Sequence, residues 1–216
     1  LPLEGPLIGP GEQFGPRAEQ WERAMSSTFE PFADLDLDFI RMMLRTAYGV
    51  TRMQQTERLV LRRARSTDIH ELFGFLGDPK AMAFTHTDET WQACRKRVLV
   101  HEWFRRRDSA APWVVIDRTD GKIIGWGGLY KDPFDKGWGY EVGYYFHPSV
   151  WGRGFASEVV ASALEEAFER LLLPEVWAMA HPENTASRRV LDKAGFIEER
   201  YLPAETATSF EDLDHI

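Results

Sequence analysis

The chain has a single cysteine, Cys94, among its 216 residues. One thiol cannot form an internal disulfide or a cysteine-based metal cluster, so the sequence suits a reducing compartment and we expect no bound metal. No apolar run approaches the roughly 18 residues that a membrane-spanning helix needs. The opening residues, rich in proline and glycine, lack the basic-then-apolar order of a secretory signal. We therefore expect a cytoplasmic protein that makes no membrane contact.

The chain also has fewer basic residues than acidic ones. The chain carries 26 Lys and Arg against 34 Asp and Glu, for a net charge of −8. Because the phosphate backbone of nucleic acids rewards basic surfaces, this balance argues against nucleic-acid binding. Basic runs at 62–65, 95–97 and 105–107 are expected to be solvated strand ends and helix faces.

From Thr56 onward the pattern of apolar residues alternates between strand-like and helix-like segments. The predicted strands are 58–62, 112–117, 122–130, 139–146, 175–180 and 196–201, and the predicted helices are 68–76, 90–107, 156–171 and 184–193. This order, β-α-α-β-β-β-α-β-α-β, predicts an α/β fold with a central mixed sheet and helices on both faces.

The two ends of the chain differ from this middle part. Residues 1–50 are interpreted as a proline- and glycine-rich arm followed by helices near 17–25 and 35–48. The apolar stripe of the second helix needs a cover, either the same subunit or a partner subunit, and we favour a homodimer. The main domain is expected at 55–203. Residues 204–216 are polar and acidic, and they are expected to form a tail without a strand.

Two glycines, Gly152 and Gly154, join a predicted strand to a strongly periodic helix. Glycine lets the main chain approach a ligand, so consecutive N–H groups at the start of a helix can converge on a phosphate. The alternative is a connection that binds nothing. The surrounding residues favour the phosphate cradle.

The residues around these glycines resemble a known family. Glu141-Val142-Gly143-Tyr144, followed by Pro148-x-x-Trp151-Gly152-Arg153-Gly154-Phe155-Ala156-Ser157-Glu158, resembles the acetyl-coenzyme A motif of the GNAT N-acetyltransferases. A second block, Asn184-x-x-Ser187-x-x-Val190-Leu191-x-Lys193-x-Gly195-Phe196, resembles a signature of the branch that includes the ribosomal-protein alanine N-acetyltransferases. The likeness runs from about 57 to 202.

The resemblance implies acetyl-CoA as cosubstrate and a set of residues that would bind it. The pyrophosphate would lie on the main-chain N–H groups of the cradle, and the pantetheine arm between two splayed parallel strands. An N–H near Tyr145 or Phe146 would face the thioester oxygen. The expected binding residues are Tyr145, Phe146, His147, Gly152, Arg153, Gly154, Phe155, Ala156, Ser157 and Asn184.

Two further residues are expected to move protons. Glu141 matches a glutamate that recurs in this branch, and it is the candidate base for the attacking amine. Many GNAT enzymes carry a tyrosine acid where this chain has Leu191. Ser187 is therefore the candidate that protonates or hydrogen-bonds the leaving thiolate.

These observations predict an acetyl-CoA-dependent N-acetyltransferase that acts on a primary amine by direct attack in a ternary complex. The acceptor would be a protein or peptide N-terminus or a small molecule. The alternative is a coenzyme A-binding regulatory module that has lost transfer. The segments expected to build the acceptor pocket, 77–90 and 131–138, are acidic through Asp78, Asp88, Glu89, Asp132 and Asp135. That charge suits a cationic acceptor and equally suits plain solvent exposure.

Overall fold

The computed structural model describes residues 53–133, 139–202 and 213–215. The helices expected within the first 50 residues lie outside these ranges, and so does most of the polar loop expected from 131 to 137. Within the described ranges, none of the helices combines the length and the apolar character needed to cross a membrane.

The described elements follow the predicted order, with short additions at both ends. The strands are β1 (Gln54–Gln55), β2 (Leu59–Arg62), β3 (Trp113–Asp117), β4 (Ile123–Tyr130), β5 (Glu141–Phe146), β6 (Met179–Ala180), β7 (Arg200–Leu202) and β8 (Leu213–His215). The helices are α1 (Ile69–Leu76), α2 (Trp91–Asp108), α3 (Phe155–Glu165) and α4 (Thr185–Lys193). Short 3-10 turns precede α1 and α3, at Ser66–Asp68 and Pro148–Val150.

Strands β1 to β5 form one antiparallel sheet in sequence order. The predicted hairpin between β3 and β4 is confirmed, and its turn contains Gly121 at φ +73°. Beyond β5, Glu141 makes a parallel bridge to Trp177, so the arrangement around β5 is mixed, as expected. The predicted α/β class is confirmed.

The C-terminal residues correct one expectation. Residues 204–216 are expected to form no strand, yet β8 lies between β6 and β7 and pairs antiparallel with both. Two of its three residues, Asp214 and His215, are polar, but a strand that is paired along both edges satisfies its backbone groups whatever its side chains are. The prediction failed because those pairings are non-local. Strand β7 also begins later than predicted, at Arg200.

Helices cover both faces of the main sheet. Apolar residues of α3, such as Val159 and Val160, pack with Val142 and Phe146 on one face. On the other face, residues of α1 and α2 pack against Val114 and Trp126, and this layer includes Cys94, which is fully buried. Burial raises the pKa of the Cys94 thiol to about 12. The cysteine is therefore a core residue, as expected.

The helix after the cradle is less regular than predicted. Regular α-helix ends at Glu165, and a π-helical turn follows at Glu166–Arg170. A helix that kept an unbroken period of 3.6 residues through the predicted range 156–171 would put Phe168 on the buried face. Phe168 is instead 44% exposed. The extra residue in a π turn shifts the period after it, which explains the error.

Two of the basic residues expected at the solvated surface are buried instead. Arg62 makes a two-pronged ion pair with Asp68, with contacts of 2.6 and 2.9 Å. Arg97 lies 2.8 Å from Asp88, which is 1% exposed. Burial pushes the pKa of Asp88 upward, but Arg97 and His86 outweigh it and hold that pKa below its ordinary value. The local sequence could not reveal these acidic partners.

His101 of α2 lies against the same face of the sheet. Its ring meets those of Trp126 and Tyr130 edge-on, with centroids 5.1 and 5.2 Å away. Burial, together with the positive charges of Arg97 and Arg105, lowers the pKa of His101 to about 3. The imidazole is therefore neutral in the folded protein at neutral pH.

We predict that His101 makes the folded state sensitive to mild acid. The unfolded chain takes up the His101 proton near pH 6.5 and the folded chain only near pH 3, so the free energy of unfolding falls as the pH drops through that window. One such group contributes a slope of up to about 1.4 kcal/mol per pH unit. Urea unfolding between pH 7 and 5 should give a shallower slope for His101→Gln than for the parent. His70→Gln, which changes an exposed histidine of α1, should keep the parental slope. Equal slopes in all three proteins would contradict the assignment.

Candidate active site

Strand β5 and the segment leading into β6 start side by side and then separate. The N–H of Val142 donates to the carbonyl of Trp177 at 2.8 Å, and the N–H of Trp177 donates to the carbonyl of Tyr140 at 2.9 Å. Among the described residues, the parallel pairing ends at this bridge. A gap therefore opens along β5, at the position where the sequence predicted two splayed strands.

The backbone of β5 presents alternate residues to this gap. Because Val142 faces the neighbouring segment, Tyr144 and Phe146 face it too. His147 donates its N–H the other way, to Ile124 of β4 at 2.9 Å, and Tyr145 shares that direction. Of the two residues left open by the sequence, Phe146 is therefore the one whose N–H points into the gap. Its carbonyl accepts the indole N–H of Trp151 at 2.9 Å.

A cavity of about 730 Å³ fills the gap and extends to both sides of it. One wall is the turn before α3 and the first residues of that helix. A second wall comes from α4, and a third from residues of the α1–α2 connection. The cavity is lined by ten of the predicted site residues: Glu141, Tyr145, Phe146, Gly152, Gly154, Phe155, Ala156, Ser157, Asn184 and Ser187.

The cradle has the backbone conformation that its glycines predicted. Gly152 and Gly154 have φ of +74° and +80°, which side-chain-bearing residues adopt only at a cost. Gly154 caps α3, so the first N–H groups of the helix open toward the cavity. A Cβ on Gly152 would meet nothing within 4 Å, so free space lies over the turn. The open helix start and the free space fit a pyrophosphate.

Arg58 contacts several residues of the cradle, although it is not among the site residues predicted from the sequence. Its guanidinium pairs with Glu158 of α3 and donates to the carbonyl of Arg153 at 2.8 Å. It also lies over the ring of Phe155, 4.7 Å from the centroid. Thr56 adds a 2.6 Å hydrogen bond to Glu158. Burial raises the pKa of Glu158, but the bonds from Thr56 and Arg58 outweigh it and lower that pKa.

Two predicted binding residues are not among those that line the cavity. The guanidinium of Arg153 lies 3.5 Å from Asp117 and its side chain is half exposed. The imidazole Nδ1 of His147 lies 2.7 Å from the hydroxyl of Ser149. Arg189 and Lys193 of α4 do line the cavity and supply positive charge there. Their positions in the second motif block were the available clue.

Glu141 lies at the start of β5 and is only 3% exposed. Tyr130 lies opposite Glu141 on β4. Tyr145 lies on the same face of the sheet as Glu141, four residues further along β5. A Cβ on Gly143 would come within 2.6 Å of the Tyr130 hydroxyl, so this glycine makes room for that tyrosine. Burial raises the pKa of Tyr130 well above its ordinary value, and Tyr145 and Glu141 add to the rise. Tyr130 therefore keeps its proton beside the carboxylate.

On the other side of β5, Ser187 occupies the first turn of α4. Asn184 caps this helix, as predicted, and its side-chain oxygen accepts the N–H of Ser187 at 3.1 Å. The hydroxyl of Tyr144 lies 2.9 Å from the Ser187 hydroxyl. Burial raises the pKa of Tyr144 to about 12. Tyr144 of β5 thus brings a tyrosine hydroxyl to α4. At the position where many GNAT enzymes carry a tyrosine acid, this chain has Leu191.

This arrangement has the parts of an acyl-coenzyme A site: a splayed sheet, an anion cradle and a buried carboxylate across the gap. Residues 58–197 match the sequence pattern of the family described as "Acetyltransferase (GNAT) domain". The chain therefore belongs to the GNAT acetyltransferases, enzymes that use acetyl-CoA. It is 30% identical over 150 residues to an uncharacterized N-acetyltransferase, p20, of Bacillus licheniformis, an alignment that spans 68% of this chain and 83% of that protein.

Solved structures share the fold. A ribosomal-protein-S5-alanine acetyltransferase from Vibrio fischeri has a TM-score of 0.61 at 20% identity, covering 77% of this chain and 93% of the other. A spermidine N-acetyltransferase from Vibrio cholerae, solved with CoA and spermine, has a TM-score of 0.59 at 20% identity, covering 74% and 93%. The predicted GNAT membership is confirmed. The alanine acetyltransferase branch is one of several structural neighbours and is not singled out.

We predict that Gly152→Ala weakens coenzyme A binding by at least about tenfold, because the methyl group enters the space over the cradle. Gly121→Ala is a matched control, since Gly121 has φ +73°, the same open surroundings and a place in the β3–β4 turn. Both variants should lose about 1 kcal/mol of stability through backbone strain. The stabilisation that CoA gives in thermal unfolding should shrink only for Gly152→Ala. The cradle assignment is wrong if both variants keep the parental shift.

Proposed function

We propose that this protein transfers an acetyl group from acetyl-CoA directly to a primary amine, either a small molecule or a protein N-terminus. The observation that carries the proposal is the continuous cavity that joins the cradle, the opened edge of β5 and Glu141. The buried Cys94 lies outside this cavity, which favours direct transfer over an acyl-cysteine enzyme. The homodimer and the cytoplasmic location expected from the sequence remain predictions.

Acetyl-CoA supplies the activated acetyl group. The residues of the chain bind and orient the coenzyme and take part in the proton transfers. The N–H groups at the start of α3 bind the pyrophosphate, and Arg189 and Lys193 add positive charge along the same cavity. The N–H of Phe146 donates to the thioester oxygen, where negative charge builds up during attack. Arg58 stabilises the backbone of the cradle because it contacts both Glu158 and the carbonyl of Arg153.

Glu141 accepts the proton that the amine must lose before it attacks. Its carboxylate is buried in the cavity wall, where a nearby positive charge would interact strongly. Tyr130 lies opposite Glu141 on β4, and the Tyr130 hydroxyl is hydrogen-bonded to that of Tyr145. Because burial raises the pKa of both hydroxyls, they stay protonated and act as hydrogen-bond donors on this side of β5.

Ser187 donates a hydrogen bond to the departing sulfur, and Tyr144 positions the serine. The Tyr144 hydroxyl keeps its proton at neutral pH, so it can donate to Ser187 Oγ across the 2.9 Å contact. The serine hydrogen is then free to point into the cavity. This pair stands in for the tyrosine that the family places at the position of Leu191.

We expect Glu141→Gln to lower kcat by roughly 10²-fold, the usual cost of removing a positioned base. Coenzyme A affinity should barely change, because the carboxylate lies away from the cradle. Glu165→Gln, on the exposed face of α3, is the control and should keep parental kinetics. Initial rates with a saturating amine and direct binding of CoA measure the two effects. Parental turnover in Glu141→Gln would place the base elsewhere.

The Tyr144–Ser187 pair makes a separate prediction. Tyr144→Phe and Ser187→Ala should each lower kcat by roughly tenfold, and the double variant should lose little more, because the two groups act as one unit. Tyr140→Phe is the control, since the Tyr140 hydroxyl donates instead to the carbonyl of Asp108 at 2.8 Å. Losses that simply multiply in the double variant would show that Tyr144 does not act through Ser187.

A further inference from the structure

Trp151 connects the end of β5 to the start of the cradle. It directly precedes Gly152, and its backbone N–H donates to the carbonyl of Pro148 at 3.2 Å. Its indole N–H reaches back across the turn to the carbonyl of Phe146 at 2.9 Å. The same side chain lines the cavity and is 50% exposed. One residue is therefore tied to the last residue of β5, to the turn and, through the chain, to the cradle.

The opened edge of β5 presents the same pattern every two residues. Tyr144 and Phe146 each turn one backbone N–H and one carbonyl toward the gap. A ligand that carries amides, as the pantetheine arm does, can pair with such an edge as a strand would. A repeating edge alone does not fix the register, because a shift of two residues restores the same kind of pairing. The thioester could then stop at more than one place along β5.

The bond from Trp151 makes the two positions on this edge unequal. The carbonyl of Phe146 accepts the indole N–H, whereas the N–H of Phe146 points into the gap. A ligand amide that donates to the same carbonyl has to share it with the indole or displace the indole, and either weakens the pairing. The Phe146 position therefore favours a ligand group that accepts a hydrogen bond and has no N–H of its own. A thioester carbonyl is such a group, and an amide is not.

We propose that Trp151 is a positioning residue that sets the register of the pantetheine arm on β5. It takes the Phe146 carbonyl as the acceptor for its own N–H, so Phe146 offers the coenzyme a hydrogen-bond donor that matches the thioester oxygen. Because Trp151 also leads directly into Gly152, the same residue links the two places where the coenzyme is held. This inference rests on the proposed acetyl transfer and adds to it a residue that acts through Phe146.

Two substitutions separate the N–H of the indole from its ring. Trp151→Phe keeps an aromatic ring and loses the donor, whereas Trp151→Gln loses the ring and keeps an N–H donor at the same number of bonds from Cα. We expect Trp151→Phe to lower kcat at least about tenfold and to leave the Kd of CoA within about threefold, because the pairing is redistributed along the edge. Trp151→Gln should keep kcat within about threefold of the parent. Trp91→Phe, at an exposed tryptophan of α2, is the control and should match the parent.

Two kinetic outcomes would overturn the assignment. Parental kcat in Trp151→Phe would show that transfer does not depend on the indole N–H. A larger loss in Trp151→Gln than in Trp151→Phe would assign the role to the ring instead of the hydrogen bond.

A spectroscopic measurement without an amine keeps this proposal separate from the proposed function. Acetyl-CoA labelled with ¹³C at the thioester carbonyl should give one bound carbonyl resonance with the parent, and a shifted or second resonance with Trp151→Phe. If the resonances behave in this way and no amine is acetylated, acetyl transfer fails and the register assignment stands. If transfer occurs and the resonances of the two proteins are identical, only the register assignment is wrong.

The parent protein provides a test that needs no folded variant. The indole N–H of Trp151 should remain bonded to the Phe146 carbonyl when CoA binds, so its exchange with water should stay slow in the complex of the ¹⁵N-labelled protein. Faster exchange of this proton in the complex would show that the coenzyme displaces the indole, and the proposal would then be wrong.

Discussion

Two backbone hydrogen bonds decide where this protein has a site. They join Val142 to Trp177 and Trp177 to Tyr140, and they fix the start of β5 against the segment before β6. Had the pairing continued, β5 would be an interior strand and its N–H groups would be consumed by the sheet. Because the pairing stops among the described residues, the edge of β5 is available to a ligand over its remaining length, and residues on both faces of the strand line the same cavity.

The two faces of β5 carry different side chains because of the alternating geometry of a strand. Side chains alternate, so Glu141 and Tyr145 lie on the face covered by α1 and α2, whereas Tyr144 lies on the face covered by α3 and α4. The proposed base, Glu141, and the proposed partner of the leaving thiolate, the Tyr144–Ser187 pair, are thus kept on opposite sides of the same strand. Gly143 between them leaves room for the Tyr130 hydroxyl, so the carboxylate is surrounded without a steric clash.

Much of this arrangement could be predicted from local sequence features, but the contacts between distant residues could not. The glycines at 152 and 154 act within a few residues, which is why their role was visible in the sequence, and the cap at Asn184 and the turn at Gly121 are equally local. Arg58 reaches Glu158 across 100 positions, and Tyr144 reaches Ser187 across 43. Those pairings depend on sheet register and helix placement. Strand β8 was not predicted for the same reason, because it is held by pairing with β6 on one side and β7 on the other.

The burial of Cys94 has a practical consequence. It is the chain's one cysteine, it is fully enclosed in the core, and its pKa near 12 keeps the sulfur protonated. The native protein is therefore expected to be unreactive toward maleimides and aromatic disulfide reagents, which react with thiolates. Free coenzyme A can be titrated colorimetrically in its presence without a background from the enzyme. A reporter cysteine introduced at an exposed position such as Ile197, which is 86% exposed, would carry a fluorophore alone.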